Sequence, residues 1–192
     1  MIARRGVSGT SVREVVRSTG TPRGSIAHHF PGGKQQLVEE AVAFAGQVIA
    51  DRLERSMQES GAVEGMRRFV SFWRQHLEAT GFAAGCPVLA VSLEQAGEPG
   101  NGSEEANGAG KTRLLDVSNA VFVNWQRIVA DALRREGLSP KRARRLAALA
   151  VCALEGSVAL CRAARNPGPL DDVAAEIELI LSEAIRSAKK SG

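Results

Sequence analysis

Apolar residues recur along most of this chain every three or four positions, the spacing of one helical face, while β-branched runs are short. The pattern predicts an all-α protein of about eight helices. A short helix is predicted from Ser11 to Ser18, opened by Ser11 and Glu14 as a capping box in which each side chain satisfies the other's free backbone N–H. Thr19-Gly20-Thr21 reads as a tight turn. A second short helix opens with Thr21 as N-cap and Pro22 at the first helical position, where a missing N–H costs nothing. It runs to about Phe30 and stops at Pro31-Gly32-Gly33.

From Lys34 a long helix is expected to about Glu59, with Leu37, Val38, Ala41, Val42, Ala45, Val48, Ile49 and Leu53 as its apolar stripe. Another spans Val63 to Thr80, and a shorter one runs from Pro87 to Gln95. The segment Ala96–Gly110 holds five glycines and Pro99 and reads as a long loop. Helical spacing resumes at Leu114 and continues to Gly137. Ser139-Pro140 caps and starts the next helix, expected to reach Asn166. A last helix begins near Leu170, with Leu170, Val173, Ala174, Ile177, Ile180, Leu181, Ala184 and Ile185 on one side.

Length and charge then narrow the class. The 192 residues weigh 20.3 kDa, enough for one domain or two small ones. The net charge of +4 is unevenly placed. Residues 1–36 hold six basic groups and one acid (+5), and the remaining 156 hold 19 basic and 20 acidic (−1). Such asymmetry points to a polyanion at the N-terminal end. The longest uncharged stretch, Ala79–Leu93, is interrupted by Gly81, Gly85 and Pro87, so no membrane partner is expected. No apolar signal segment follows the basic start, and a cytoplasmic location is expected. Cys86, Cys152 and Cys161 match neither a disulfide framework nor a zinc spacing. With no nucleophile–base pair and no phosphate-binding loop, no catalytic residue, metal or cofactor is expected.

The two N-terminal helices form the first constellation. A DNA-reading helix-turn-helix needs two short helices held by a small apolar core and a glycine-containing turn. Val12, Val15 and Val16 can pack on Ile26 and Phe30 across Gly20. The outer face of the second helix then presents Arg23, Ser25, His28 and His29. Arginine can bridge O6 and N7 of guanine, serine suits bases or phosphates, and histidine suits phosphates. Free N–H groups at the starts of the Ser11 and Lys34 helices offer further phosphate sites.

The run Thr10-Ser11-Val12-Arg13-Glu14-Val15, followed by Gly20-Thr21-Pro22-Arg23-Gly24-Ser25-Ile26-Ala27-His28-His29-Phe30-Pro31-Gly32-Gly33-Lys34, resembles the DNA-binding region of TetR-family transcriptional regulators. Gly85-Cys86-Pro87-Val88 and Leu154-Glu155-Gly156 are similar to the LmrA/YxaF-like branch. The resemblance implies an all-helical homodimer with an N-terminal DNA-binding domain and a C-terminal ligand-binding domain. It gives DNA-contact roles to Ser11, Thr21, Pro22, Arg23, Ser25, His28, His29 and Lys34. Two departures matter. The family usually places Tyr, a phosphate contact, where this chain has Ala27, which lowers affinity more than sequence choice. The family's first helix also normally precedes the capping box, whereas Met1–Arg5 supplies only its final turn. Further sequence upstream is therefore expected, and without that helix the small core is open to water.

Six of the eight aromatic residues lie between 69 and 125. Phe69, Phe72, Trp73 and His76 share one helical side, and Phe122, Trp125 and Gln126 follow later. Each can be core, or together with Cys86 they can line an apolar cavity with few polar groups. Cys86 before Pro87 at a helix start reads as a buried structural thiol, or as one with a lowered pKa. The helix from Ser139 is apolar on two sides: Leu146, Leu149, Ala153 and Leu160 on one, Val151, Leu154, Val158 and Cys161 on the other. With the last helix it can build a four-helix dimer face.

The expectation is a helix-turn-helix domain over residues 1–36, its first helix largely missing, and a helical ligand-binding and dimerisation domain over 37–192. Its function is a repressor on a palindromic operator of double-stranded DNA, released by a small hydrophobic effector. The alternatives are a small-molecule-binding dimer without DNA function and a helical enzyme.

Overall fold

Glycine, proline and small hydroxyl side chains punctuate the helices where the spacing breaks. The computed structural model describes residues 1–94 and 104–191, and among them every regular element is helical. The order is α1 (Ile2–Arg5), α2 (Val12–Thr19), α3 (Arg23–His29), α4 (Gly33–Ala79), α5 (Pro87–Leu93), α6 (Glu104–Arg135), α7 (Pro140–Ala164) and α8 (Gly168–Ser191).

Several stops have clear local causes. Gly20 closes α2 in the left-handed conformation (φ 68°, ψ 12°), which glycine adopts without a Cβ clash. Gly61 (φ 75°, ψ −179°) breaks the 47-residue α4 into the two arms the spacing predicts. Cys86 is the N-cap of α5, its Sγ accepting the Leu89 N–H at 3.4 Å, and Ser139 caps α7 ahead of Pro140.

Three sequence expectations need correction. The N-cap of α3 is Pro22, one residue later than expected, with no side-chain cap bond. Thr21 instead receives the Thr19 hydroxyl at 2.8 Å, so its oxygen is committed to the turn. The capping box at α2 is half formed: Ser11 Oγ accepts from the Glu14 N–H at 3.2 Å, but the Glu14 carboxylate turns to Arg5 at 2.5 Å. Finally, the loop expected over Ala96–Gly110 is helical from Glu104 onward. Glu104, Glu105 and Ala106 favour a helix start, and tertiary anchoring of Gly110 overrides the glycine signal. The rest of that loop, residues 95–103, lies outside the described residues.

The chain forms two compact units. The first comprises Met1–Gln47 and Cys86–Val121, and the second Val48–Gly85 and Phe122–Gly192. In the first, α1 packs on α5 and α2 on α3, and Val38, Val42, Val88 and Val91 are buried. Here α4 and α6 cross closely, for a Cβ on Gly46 would lie 2.5 Å from Val121 Cγ2. Gln35 Nε2 ties the same helices by donating to the Gly110 carbonyl at 2.7 Å.

In the second unit α7 lies along α8. Leu53, Met57, Leu77, Leu133, Leu170 and Leu181 are among its most deeply buried side chains. The expected α4 stripe is narrower than drawn, since Val48 is 50% exposed and Ala41 is exposed. On α7, Val151, Leu154, Val158 and Cys161 are buried while Leu149 and Leu160 are 48% and 57% exposed. By length and composition α7 could cross a membrane, yet half of its apolar window is buried in the protein, as in a core helix.

Candidate nucleic-acid interface

Helices α2 and α3, joined by the Gly20 turn, build the first constellation as a unit. Val12, Val15, Val16, Ile26 and Phe30 are all half-buried, and α2 has no fully buried residue. Val12, Arg13, Val16, Ile26, Ala27 and Phe30 line an open groove, so this small core is exposed to water, as expected. The outer face of α3 carries His28 and His29, both exposed, with ring centroids 5.1 Å apart, and Ser25, half-buried. Arg23 opens α3, and its side chain lies outside the described part of the structure. Ser11, Pro22 and Lys34 are exposed and Thr21 is half-buried. Arg4, Arg13 and Arg17 are exposed and make no ion pair among the described residues, which leaves this end positive. Of the two helix starts considered as phosphate sites, the one before Lys34 is partly occupied: Gln36 Oε1 accepts the Gly32 N–H at 2.8 Å.

Sequence reading missed the residue that anchors this region. Glu94, just after α5, receives the backbone N–H groups of Val7 and Ser8, each at 2.5 Å. Partial burial works against its charge, but the bonds from Ser8 and Val7 and the nearby Lys34 outweigh it and hold the carboxyl below its ordinary 4.5. Gly6 (φ 71°) lets the chain turn tightly here, for a Cβ would meet Glu94 Oε2 at 3.0 Å. Buried Thr10 closes the same turn by donating to the Gly6 carbonyl at 2.8 Å. No sequence signal joins positions 86 residues apart.

The aromatic positions divide into separate clusters. Phe69, Phe72, Trp73 and His76 form one on the second arm of α4, with neighbouring centroids 5.7 to 6.3 Å apart, and Arg52 stacks 4.4 Å over Phe72. Phe122 and Trp125 pair at 5.4 Å on α6. Phe69, Trp73 and Trp125 are core residues, whereas Phe72, His76, Phe122 and Gln126 are half-buried. Cys86 belongs to the first unit, where it is buried and caps α5.

Comparison with known proteins follows the same division. Residues 1–41 match the family described as bacterial regulatory proteins, tetR family, and residues 62–176 match the transcriptional regulator LmrA/YxaF-like C-terminal domain. The HTH-type transcriptional regulator Rv0196 of Mycobacterium tuberculosis (strain ATCC 25618 / H37Rv) is 35% identical over 184 residues, 95% of this chain and 90% of that one. The chain belongs to the TetR family. Within the family it falls in the LmrA/YxaF-like group: the HTH-type transcriptional regulator LmrA of Bacillus subtilis (strain 168) is 28% identical, over 86% of this chain and 82% of LmrA. Two solved TetR-family structures share the fold. The regulatory protein TetR from Rhodobacter sphaeroides aligns with a TM-score of 0.75 at 20% identity, covering 92% of this chain and 90% of that one. A TetR transcriptional regulator from Legionella pneumophila aligns with a TM-score of 0.76 at 17% identity, covering 93% and 90%. This TetR-family chain is thus a DNA-binding transcriptional regulator, with α2 and α3 as its helix-turn-helix.

Proposed function

We propose that the chain is a dimeric, effector-responsive repressor that reads a palindromic operator through α3. The observation that carries this reading is the polar, exposed outer face of α3 in a helix-turn-helix whose surrounding arginines lack counter-charges. Arg23 would bridge a guanine, Ser25 a base or phosphate, and His28 and His29 phosphates, with Ser11, Thr21, Pro22 and Lys34 completing the contacts. Twin half-sites about 34 Å apart need two copies. The uncovered side of α7, with Leu149 and Leu160, and exposed Leu179 of α8 suit a four-helix homodimer face.

A small hydrophobic effector would enter the second unit beside Phe72, Phe122 and the polar groups of His76 and Gln126. A coupling of roughly 1–3 kcal/mol would change operator affinity about 5- to 150-fold. No catalysis is part of this reading, and the protein is taken to act in the cytoplasm. A gel shift on the DNA upstream of the gene, titrated with salt, tests it. A saturable complex whose affinity falls steeply with salt is expected. No complex at low salt would favour a ligand-binding dimer without DNA function.

A further inference from the structure

The end of α6 and the start of α7 carry a positive charge that the scaffold leaves uncompensated. Between positions 134 and 145 stand six basic groups (Arg134, Arg135, Lys141, Arg142, Arg144 and Arg145) and one acid, Glu136. This excess of +5 equals that of residues 1–36, and the −1 of the rest of the chain hides it behind −6 elsewhere. All six basic residues are exposed. Arg134 pairs with Asp131 at 3.6 Å, and Glu136 is taken by Lys189 at 3.4 Å. The other five form no ion pair among the described residues.

That is unlike the rest of this unit. Arg67 is held by Glu64 and Glu178, Arg68 by Glu59 and Glu64, Arg74 by Glu78 and Asp171, and Arg127 by Asp131. The placement also works against local stability. Lys141 and Arg142 occupy the first turn of α7, where the helix dipole is positive and no acid compensates. Lys141 additionally faces Arg144 and Arg145 at repulsive i,i+3 and i,i+4 spacing. A cluster that opposes folding and has no internal counter-charge is accounted for by an external anion.

The side chains indicate which anion. Five of the six are arginines, whose planar fork matches phosphate oxygens. The apolar neighbours Leu138 and Ala143 are buried, so no exposed apolar side chain stands among these residues to enter a bilayer. The protein already binds duplex DNA, which raises the effective concentration of further DNA phosphate at its surface. We propose that this surface is a second, sequence-independent contact for the phosphate backbone of duplex DNA, separate from the helix-turn-helix.

The test uses the full chain and a short random-sequence duplex, with affinity measured by fluorescence anisotropy across a salt series. Replacing the α7 cluster together (Lys141→Gln, Arg142→Gln, Arg144→Gln, Arg145→Gln) should flatten the slope of log K against log salt by about 3.6, four contacts at about 0.9 each. Its circular dichroism should match the parent, with a melting temperature equal or higher because the dipole clash is relieved. Should that variant fail to fold, Arg144→Gln with Arg145→Gln should give about half the change in slope. A chain with His28→Ala and His29→Ala should lose preference for the operator yet keep the random-duplex complex. A parental salt slope in the folded α7 variants would overturn the proposal. So would polyglutamate of matched charge competing as well as duplex, which would assign the surface to an acidic protein.

Discussion

Glu94 joins the α5 end to the turn before the helix-turn-helix through two N–H···O bonds, and its consequences are testable one side chain at a time. Glu94→Ala should destabilise the fold by about 1–3 kcal/mol, because the Val7 and Ser8 donors lose a charged acceptor. The folded-state pKa lies below the unfolded one. The stabilisation is therefore complete above the ordinary carboxylate range and is lost as pH falls through the depressed folded value. Thermal melts of parent and Glu94→Gln should differ at neutral pH and converge in acid; a gap that widens in acid would contradict the clamp. Ala27 is exposed beside Ile26 and Phe30, where the family commonly carries a phosphate-contacting tyrosine. Ala27→Tyr should strengthen binding to operator and random duplex by the same factor, since phosphate contacts position rather than specify. A gain confined to the operator in paired binding isotherms would show that the new side chain reads bases.

At the scale of elements, the helix boundaries were largely legible because their causes are local. Ser11, Gly20, Gly61, Pro87 and Ser139-Pro140 act through backbone conformation and N–H bookkeeping within a few residues. The failures have distant causes. Glu14 left its capping box for Arg5, and Gly110 became helical while held by Gln35, 75 positions away. Helix–helix contact makes its own prediction. Gly46→Ala drives a methyl into Val121 and should cost about 1–3 kcal/mol by overpacking. Denaturant titration of Gly46→Ala should show it, and Val121→Ala in the same chain should restore part of the loss. Additive losses in the double variant would mean that the two helices do not meet at this point.

For the whole molecule, the exposed leucines of α7 give the sharpest test. Leu149→Glu with Leu160→Glu should change the stability of a single chain by less than about 0.5 kcal/mol each, as exposed sites do. In light scattering, the mass should nevertheless fall from twice 20.3 kDa to that of one chain. A dimer that survives both changes would place the interface elsewhere. The fold class, the capped helix-turn-helix and the positive N-terminal end could all be read from the linear chain, because periodicity, capping and charge are properties of neighbouring residues. Which face of α7 is covered, why Glu94 is ionised, and which arginines keep free charge could not. Those depend on residues far apart in sequence, among them Val7 with Glu94 and Arg74 with Asp171, whose proximity exists only once the helices have packed.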